Sequence, residues 1–210
     1  MDSYSQLSHT QESGPQVSRA TATMVQAPLQ VLTLALFLAL PETKPAYEFV
    51  HGLRVQKPMP QGEHSTLKRE LVISLTLLFR TSRAAIAYPE LRCSFGDRSI
   101  VPDIAVFLAN RVPRTADGRV ENTFSIPPDW TIEILSPGQS TTKVVKNILY
   151  CLDKGSQMGW LIDPAEQTVF IYRPHQPILC FDLPEQKLLA PAFVKDFQLT
   201  IEELFSWLRT

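Results

Sequence analysis

The segment IEILSPGQSTTKVVKN, residues 132–147, carries the reading that decides the fold. It opens as a strand, turns at Ser136-Pro137-Gly138-Gln139, and runs into TTKVVKNILYCLDKG, a helical stretch closed by Gly155. Strand, tight turn and helix in that order define an α/β unit. One residue does not fit a plain buried strand. Glu133 stands between two isoleucines, and glutamate is depleted in strands. A buried, unpaired carboxylate costs several kcal/mol or shifts its pKa until it neutralises, so Glu133 needs a partner: a metal, a cation or a proton. An alternation that puts Thr131, Glu133 and Leu135 on one half-exposed face is the competing reading.

Working outward, HSTLKRELVISLTLLFRTSR places Leu67, Leu71, Leu75 and Leu78 at three- and four-residue spacing, which predicts a long amphipathic helix from about His64 to Ser82. Short β-rich runs follow: AIAYPELRCSF, SIVPDIAVFLA and DWTIEILS. After the second helix, MGWLIDP, QTVFIYRP and PILCFDL read as strands, and FQLTIEELFSWLRT as a closing helix. Upstream, a hairpin is expected at His51-Gly52. The sum is an α/β (α+β) domain, a mixed β-sheet of about six strands flanked by helices. Residues 1–27 are rich in Ser, Thr and Gln and read as a disordered polar leader, leaving 28–210 as a single domain. The apolar run LQVLTLALFLALP, residues 29–41, is short of the ~20 residues that cross a bilayer and reads as a buried or docking helix.

Composition excludes several functions. Lys+Arg 20 against Asp+Glu 21 gives a formal charge of -1, so attraction to nucleic acid must be local or supplied by bound cations. Cys93, Cys151 and Cys180 are far apart without CxxC spacing, which argues against a disulfide framework or a zinc site and for a reducing, cytoplasmic setting. The four histidines show no metal-binding pair. No Gly-rich phosphate loop is present.

Asp103 follows Pro102 at the head of the apolar run IAVFL, and Glu133 lies in the later strand TIEIL. Alone, Asp103 also reads as an ordinary strand-start acid. Two acids near the same end of neighbouring strands make a hard-oxygen site suited to Mg²⁺ or Mn²⁺. This Pro-Asp followed by a strand acid resembles the PD-(D/E)XK nuclease superfamily, although the position two after the glutamate is Leu135 rather than lysine. The chain more closely resembles the bacterial Uma-type family of "putative restriction endonucleases". The resemblance runs through YEFVHGLRV, GEH, VPDIAVF, IEILSPGQS, KNILYCLDKG, GWLIDP and TVFIYRP to the final LF pair, about residues 47–205.

That resemblance implies a restriction-endonuclease-like fold and Mg²⁺-dependent hydrolysis of DNA, with RNA as a further possible substrate, no membrane partner and a possible homodimer. It implies Asp103 and Glu133 as metal ligands and catalytic acids, with the lysine moved to the helix after the glutamate strand. Lys143 and Lys146 are the candidates. If Val145, Ile148, Leu149 and Leu152 form the buried face, Lys146 lies at its border and Lys143 nearly opposite, so Lys146 is expected at the site and Lys143 at a phosphate. Glu90, matched to a family glutamate, is an additional metal ligand or water orienter; Glu48 and Gln139 are further candidates. Trp160 reads as core and Asp163 as a turn acid, and His64 as a capping or packing residue at the helix start. The competing function is a noncatalytic nuclease-like fold that binds nucleic acid or protein.

Overall fold

The structure, a computed structural model, describes residues 31–195 and 197–209. The proposed leader, residues 1–27, lies outside the described residues. In chain order come α1 (Leu34–Leu38), β1 (Tyr47–Val50), β2 (Leu53–Gln56), α2 (Gly62–Ser82), β3 (Ala85–Pro89), β4 (Cys93–Phe95), β5 (Arg98–Ile100), β6 (Ile104–Leu108), β7 (Trp130–Ile134), α3 (Thr141–Asp153), β8 (Met158–Asp163), β9 (Thr168–Tyr172), β10 (Leu179–Phe181) and α4 (Ile201–Ser206). The strand order of the larger sheet is β10-β9-β8-β7-β6-β3. β7 and β8 run parallel and the other neighbours antiparallel, so a crossover is required there, and α3 supplies it.

β7 is central and buried along its whole length. Its alternation sends Trp130, Ile132 and Ile134 toward one face, where they join Leu67, Leu71, Leu75 and Phe79 of α2 and Ile201, Leu204 and Phe205 of α4. The other face of the sheet carries Leu135 and Leu161, packed with Val144 and Ile148 of α3. Glu133 falls on this second face and is 3% exposed, which removes the half-exposed reading. Gly159 on β8 lets α3 approach closely, because a Cβ there would lie 2.3 Å from Ile148 Cγ2.

Three expectations need correction. The middle runs do not all belong to one sheet. AIAYPELRCSF breaks after Pro89, where Glu90 adopts φ 49°, and SIVPDIAVFLA breaks between β5 and β6. The outer pieces pair with the β1–β2 hairpin in a second sheet, β2-β1-β5-β4. Apolar runs announce strands but not their neighbours. Second, the buried face of α3 is Val144, Asn147, Ile148, Tyr150 and Cys151, whereas Leu149 is 49% exposed. Two polar side chains face inward, so counting apolar residues turns the helix by about one position. Third, the described part of the apolar run, residues 31–41, carries the five-residue α1, which buries Phe37 and leaves Leu36 and Leu38 exposed, as is Leu40 beyond it. Among the described residues no helix is long and apolar enough to cross a membrane. The hairpin forms where expected, with His51 and Gly52 at φ 51° and 75°, the two positive values a tight hairpin turn requires.

Candidate active site

β6 and β7 pair with Ile104 opposite Ile132, so the next step of the ladder sets Asp103 beside Glu133. Asp103 Oδ2 accepts the Ile134 N–H at 2.8 Å and lies 3.0 Å from His64 Nε2. Its other oxygen, Oδ1, is 2.8 Å from Lys57 Nζ. That ammonium also lies 3.4 Å from Glu133 Oε2 and donates to the Val101 carbonyl at 2.7 Å. The partner that Glu133 needs is therefore Lys57, the residue immediately after β2. Its side chain is 14% exposed, against 3% and 4% for the side chains of Asp103 and Glu133.

One ammonium facing two buried carboxylates fixes their ionisation. Burial opposes charge at Lys57, but Glu133, Asp103 and Glu48 outweigh it and hold the ammonium charged well beyond its ordinary range. Burial likewise opposes charge at Asp103, and the Lys57 charge together with the His64 hydrogen bond reverses this, drawing its carboxyl below the usual carboxylate range. At Glu133 burial prevails over Lys57, with Asp103 and Glu48 adding repulsion, and its carboxyl is held well above the ordinary value. The cluster sets one ammonium against two acids of opposite tendency, Asp103 drawn toward its charged form and Glu133 away from it.

The flanking residues position this centre. Glu48 on β1 accepts the Val101 N–H at 2.9 Å and the Asn147 side-chain amide at 3.0 Å, tying β1 and α3 to the segment that presents the Val101 carbonyl. His64, in the first turn of α2, holds Asp103, and its Nδ1 is buried without a hydrogen-bond partner among the described residues. This is a more specific position than helix-start packing. Gln139 accepts the Ser136 N–H at 3.0 Å and lines the recess beside Lys57 and Asp103. Glu90 lies past the end of β3, not within it. Its side chain pairs with Lys68 and is 49% exposed, while its backbone N–H donates to the Asp103 carbonyl at 3.1 Å. Trp160 is core, its indole N–H donating to the Leu189 carbonyl, and Asp163 caps a turn by accepting the N–H groups of Ala165 and Glu166.

Both helix lysines are exposed, and Lys143 rather than Lys146 borders a recess that Glu133 also lines. Lys146 is exposed, and its carbonyl lies 3.5 Å from the Arg98 guanidinium, outside the acid cluster. Lys143 lines a recess of about 300 Å³ together with Lys57, Glu133, Gln139 and Asn147. The one-position turn of α3 accounts for both. Lys57 itself was missed because nothing in VQKPMP marks it. The available signal was the requirement for a cation near Glu133, and a lysine between a hairpin strand and the prolines at 58 and 60 meets that requirement only once the hairpin is folded against β5.

Lys57 also lines a second recess, about 480 Å³, together with Pro45, Met59, His64, Glu90, Asp103 and Gln139 among others. The acid cluster thus sits at the wall between two openings. No third His, Cys, Asp or Glu joins Asp103 and Glu133 in a ligating cluster among the described residues. The oxygens that converge on the ammonium are one carbonyl and two carboxylates, a hard-oxygen set of the type that suits Mg²⁺ or Mn²⁺ when water and phosphate complete the shell.

The chain is thus an α+β domain with a mixed sheet and helices on both faces, with Asp103 just before β6 set beside Glu133 within β7. A crystal structure from Anabaena variabilis ATCC 29413, titled a "putative nuclease belonging to DUF820", matches it with a TM-score of 0.83 and 56% identity, over 84% of this chain and 98% of that one. Residues 34–202 match Uma2, described as "Putative restriction endonuclease", and the chain belongs to that family. No curated protein matches it.

Proposed function

We propose that the protein is a metal-dependent endonuclease that hydrolyses phosphodiester bonds of DNA, with Asp103 and Glu133 as its acids and Lys57 as its lysine. The observation behind this reading is the convergence of Val101 O, Asp103 Oδ1 and Glu133 Oε2 on one cationic point beside an open recess. Family membership supplies the reaction class. Mg²⁺ or Mn²⁺ would be held by those two carboxylates and the carbonyl. Such an ion polarises the phosphodiester and lowers the pKa of the attacking water.

The chain's own residues do the rest. His64 and the Ile134 N–H grip Asp103 Oδ2 and aim Oδ1 at the cation point. Glu48, locked by Asn147, fixes the Val101 peptide. Lys57 supplies positive charge where negative charge builds on the phosphoryl oxygens. Lys143, facing the smaller recess, offers a phosphate contact, and Gln139 bounds both openings. Hydrolysis forms a bond from water oxygen to phosphorus and breaks the phosphorus–O3′ bond; the departing 3′-oxygen takes up a proton as the attacking water loses one, leaving a 3′-hydroxyl and a 5′-phosphate, as the superfamily resemblance implies.

The test is calorimetric titration of Mn²⁺ into wild type and Glu133→Gln, followed by incubation of each with supercoiled plasmid. Binding and nicking by wild type, both lost in the variant, are expected. Cleavage of RNA alone would move the substrate but keep the site. One observation favours a second reading: Lys57 already compensates the acids without a metal, as a noncatalytic binding module would require. Absence of Mn²⁺ binding by wild type and by Lys57→Met alike would establish that reading instead.

A further inference from the structure

Lys57 Nζ sits where three oxygens meet, at 2.7 Å from Val101 O, 2.8 Å from Asp103 Oδ1 and 3.4 Å from Glu133 Oε2. This oxygen-lined point is a cation seat, and a divalent ion and an ammonium compete for the same ligands. The two cannot share it: like charges a few ångströms apart in a partly buried site repel strongly. Lys57 is also the member of the cluster able to leave. Asp103 is tied by the Ile134 N–H and His64, and Glu133 is built into the central strand. Lys57 follows the last residue of β2, precedes the exposed segment Pro58-Met59-Pro60, and lines both the 480 Å³ and the 300 Å³ recess, so its side chain adjoins open space.

We propose that Lys57 is a resident stand-in cation: it fills the metal seat of the resting chain, and a divalent ion enters only by displacing its ammonium into the adjoining 480 Å³ recess, where it faces the substrate phosphate. The inference rests on the metal-dependent reading and adds to it an exchange. Seated, the lysine bonds to both buried acids and the site is inactive. Displaced, it becomes the charge that meets the phosphoryl group. Metal affinity is thereby set below what the bare oxygens offer, and arming of the site is coupled to metal entry.

Two measurements test it. Calorimetry compares Mn²⁺ binding by wild type, Lys57→Met and Glu133→Gln at pH 8, where Met keeps the unbranched stem of the side chain and removes its ammonium. The expected result is roughly tenfold tighter binding by Lys57→Met, the effect of removing a competing charge at close range, with cleavage lost. In parallel, wild-type protein is acetylated with and without Mn²⁺, and the modification of Lys57 is followed by peptide mass spectrometry. Lys57 should be protected without the ion and become reactive with it, while exposed Lys146 stays constant. Equal or weaker Mn²⁺ binding by Lys57→Met, or Lys57 reactivity unchanged by Mn²⁺, would overturn the exchange while leaving the metal site in place. Absence of Mn²⁺ binding by both wild type and Lys57→Met would instead overturn the metal reading beneath it.

Discussion

At the residue scale the buried trio has unequal members. Removing one partner of a buried ion pair strands the other, at about 3–5 kcal/mol. Asp103 is the ionised partner, with a carboxyl drawn below the usual range, so its stabilisation is present above the unfolded value of about 3.9 and is lost as pH falls through the folded one. Glu133 has the opposite sign. Its folded carboxyl is raised, so as pH climbs above the unfolded value of about 4.3 the native state loses stability relative to the unfolded chain, until the folded group itself ionises. Asp103→Asn should therefore lower the urea midpoint in EDTA at pH 7, by a margin that shrinks toward pH 3. Glu133→Gln, which mimics the protonated acid, should leave the midpoint at pH 7 unchanged or raise it. Equal losses in the two variants would mean that both acids are ionised in the fold.

At the scale of elements, α3 positions the site through its closeness to β8. Gly159 has no side chain where Ile148 presses, and Asn147, next to Ile148, reaches Glu48. Gly159→Ala inserts a methyl into a filled contact, with an expected loss of about 1–3 kcal/mol. Pairing it with Ile148→Ala should recover part of that loss, because the second change opens the space the first one fills. A double-mutant cycle in urea reads the coupling, and strict additivity would show that α3 does not rest on Gly159. The same helix explains why apolar periodicity turns its buried face by one position. Asn147 and Tyr150 are polar residues satisfied inside, by Glu48 and by the Phe95 carbonyl, and a count of apolar positions treats them as surface. The left-handed Glu90 is comparable: one backbone break sends a continuous β-rich run into two sheets.

At the scale of the whole molecule, the three cysteines report how tightly the core closes. Burial pushes the Cys93 thiol up to about 12 and that of Cys151 well above its ordinary value, whereas Cys180 is exposed. The native chain should release one equivalent with a thiol-specific disulfide reagent at pH 8 and three after unfolding. More than one rapid equivalent would mean that the core containing Cys93 and Cys151 opens readily. The sign for stability follows: above the unfolded thiol value of about 8.5 the unfolded chain sheds protons that the folded one keeps, so stability falls as pH rises toward 12.

The sequence by itself determined the element types along most of the chain, the long helix α2, the hairpin at His51-Gly52, and the anomaly at Glu133. Those features arise from local periodicity and from the cost of burying a charge, both readable from neighbours in the chain. Block order also carried the family. Only the tertiary structure decided that Lys57, not Lys146, faces Asp103 and Glu133, that His64 grips Asp103, and that Glu90 belongs to Lys68. These contacts join residues separated by 22 to 76 positions, those of Lys57 through the hairpin that pairs with β5 and those of His64 and Lys68 through α2. Electrostatic compensation requires that some cation be near a buried acid; which cation it is depends on chain path, which local pattern does not encode.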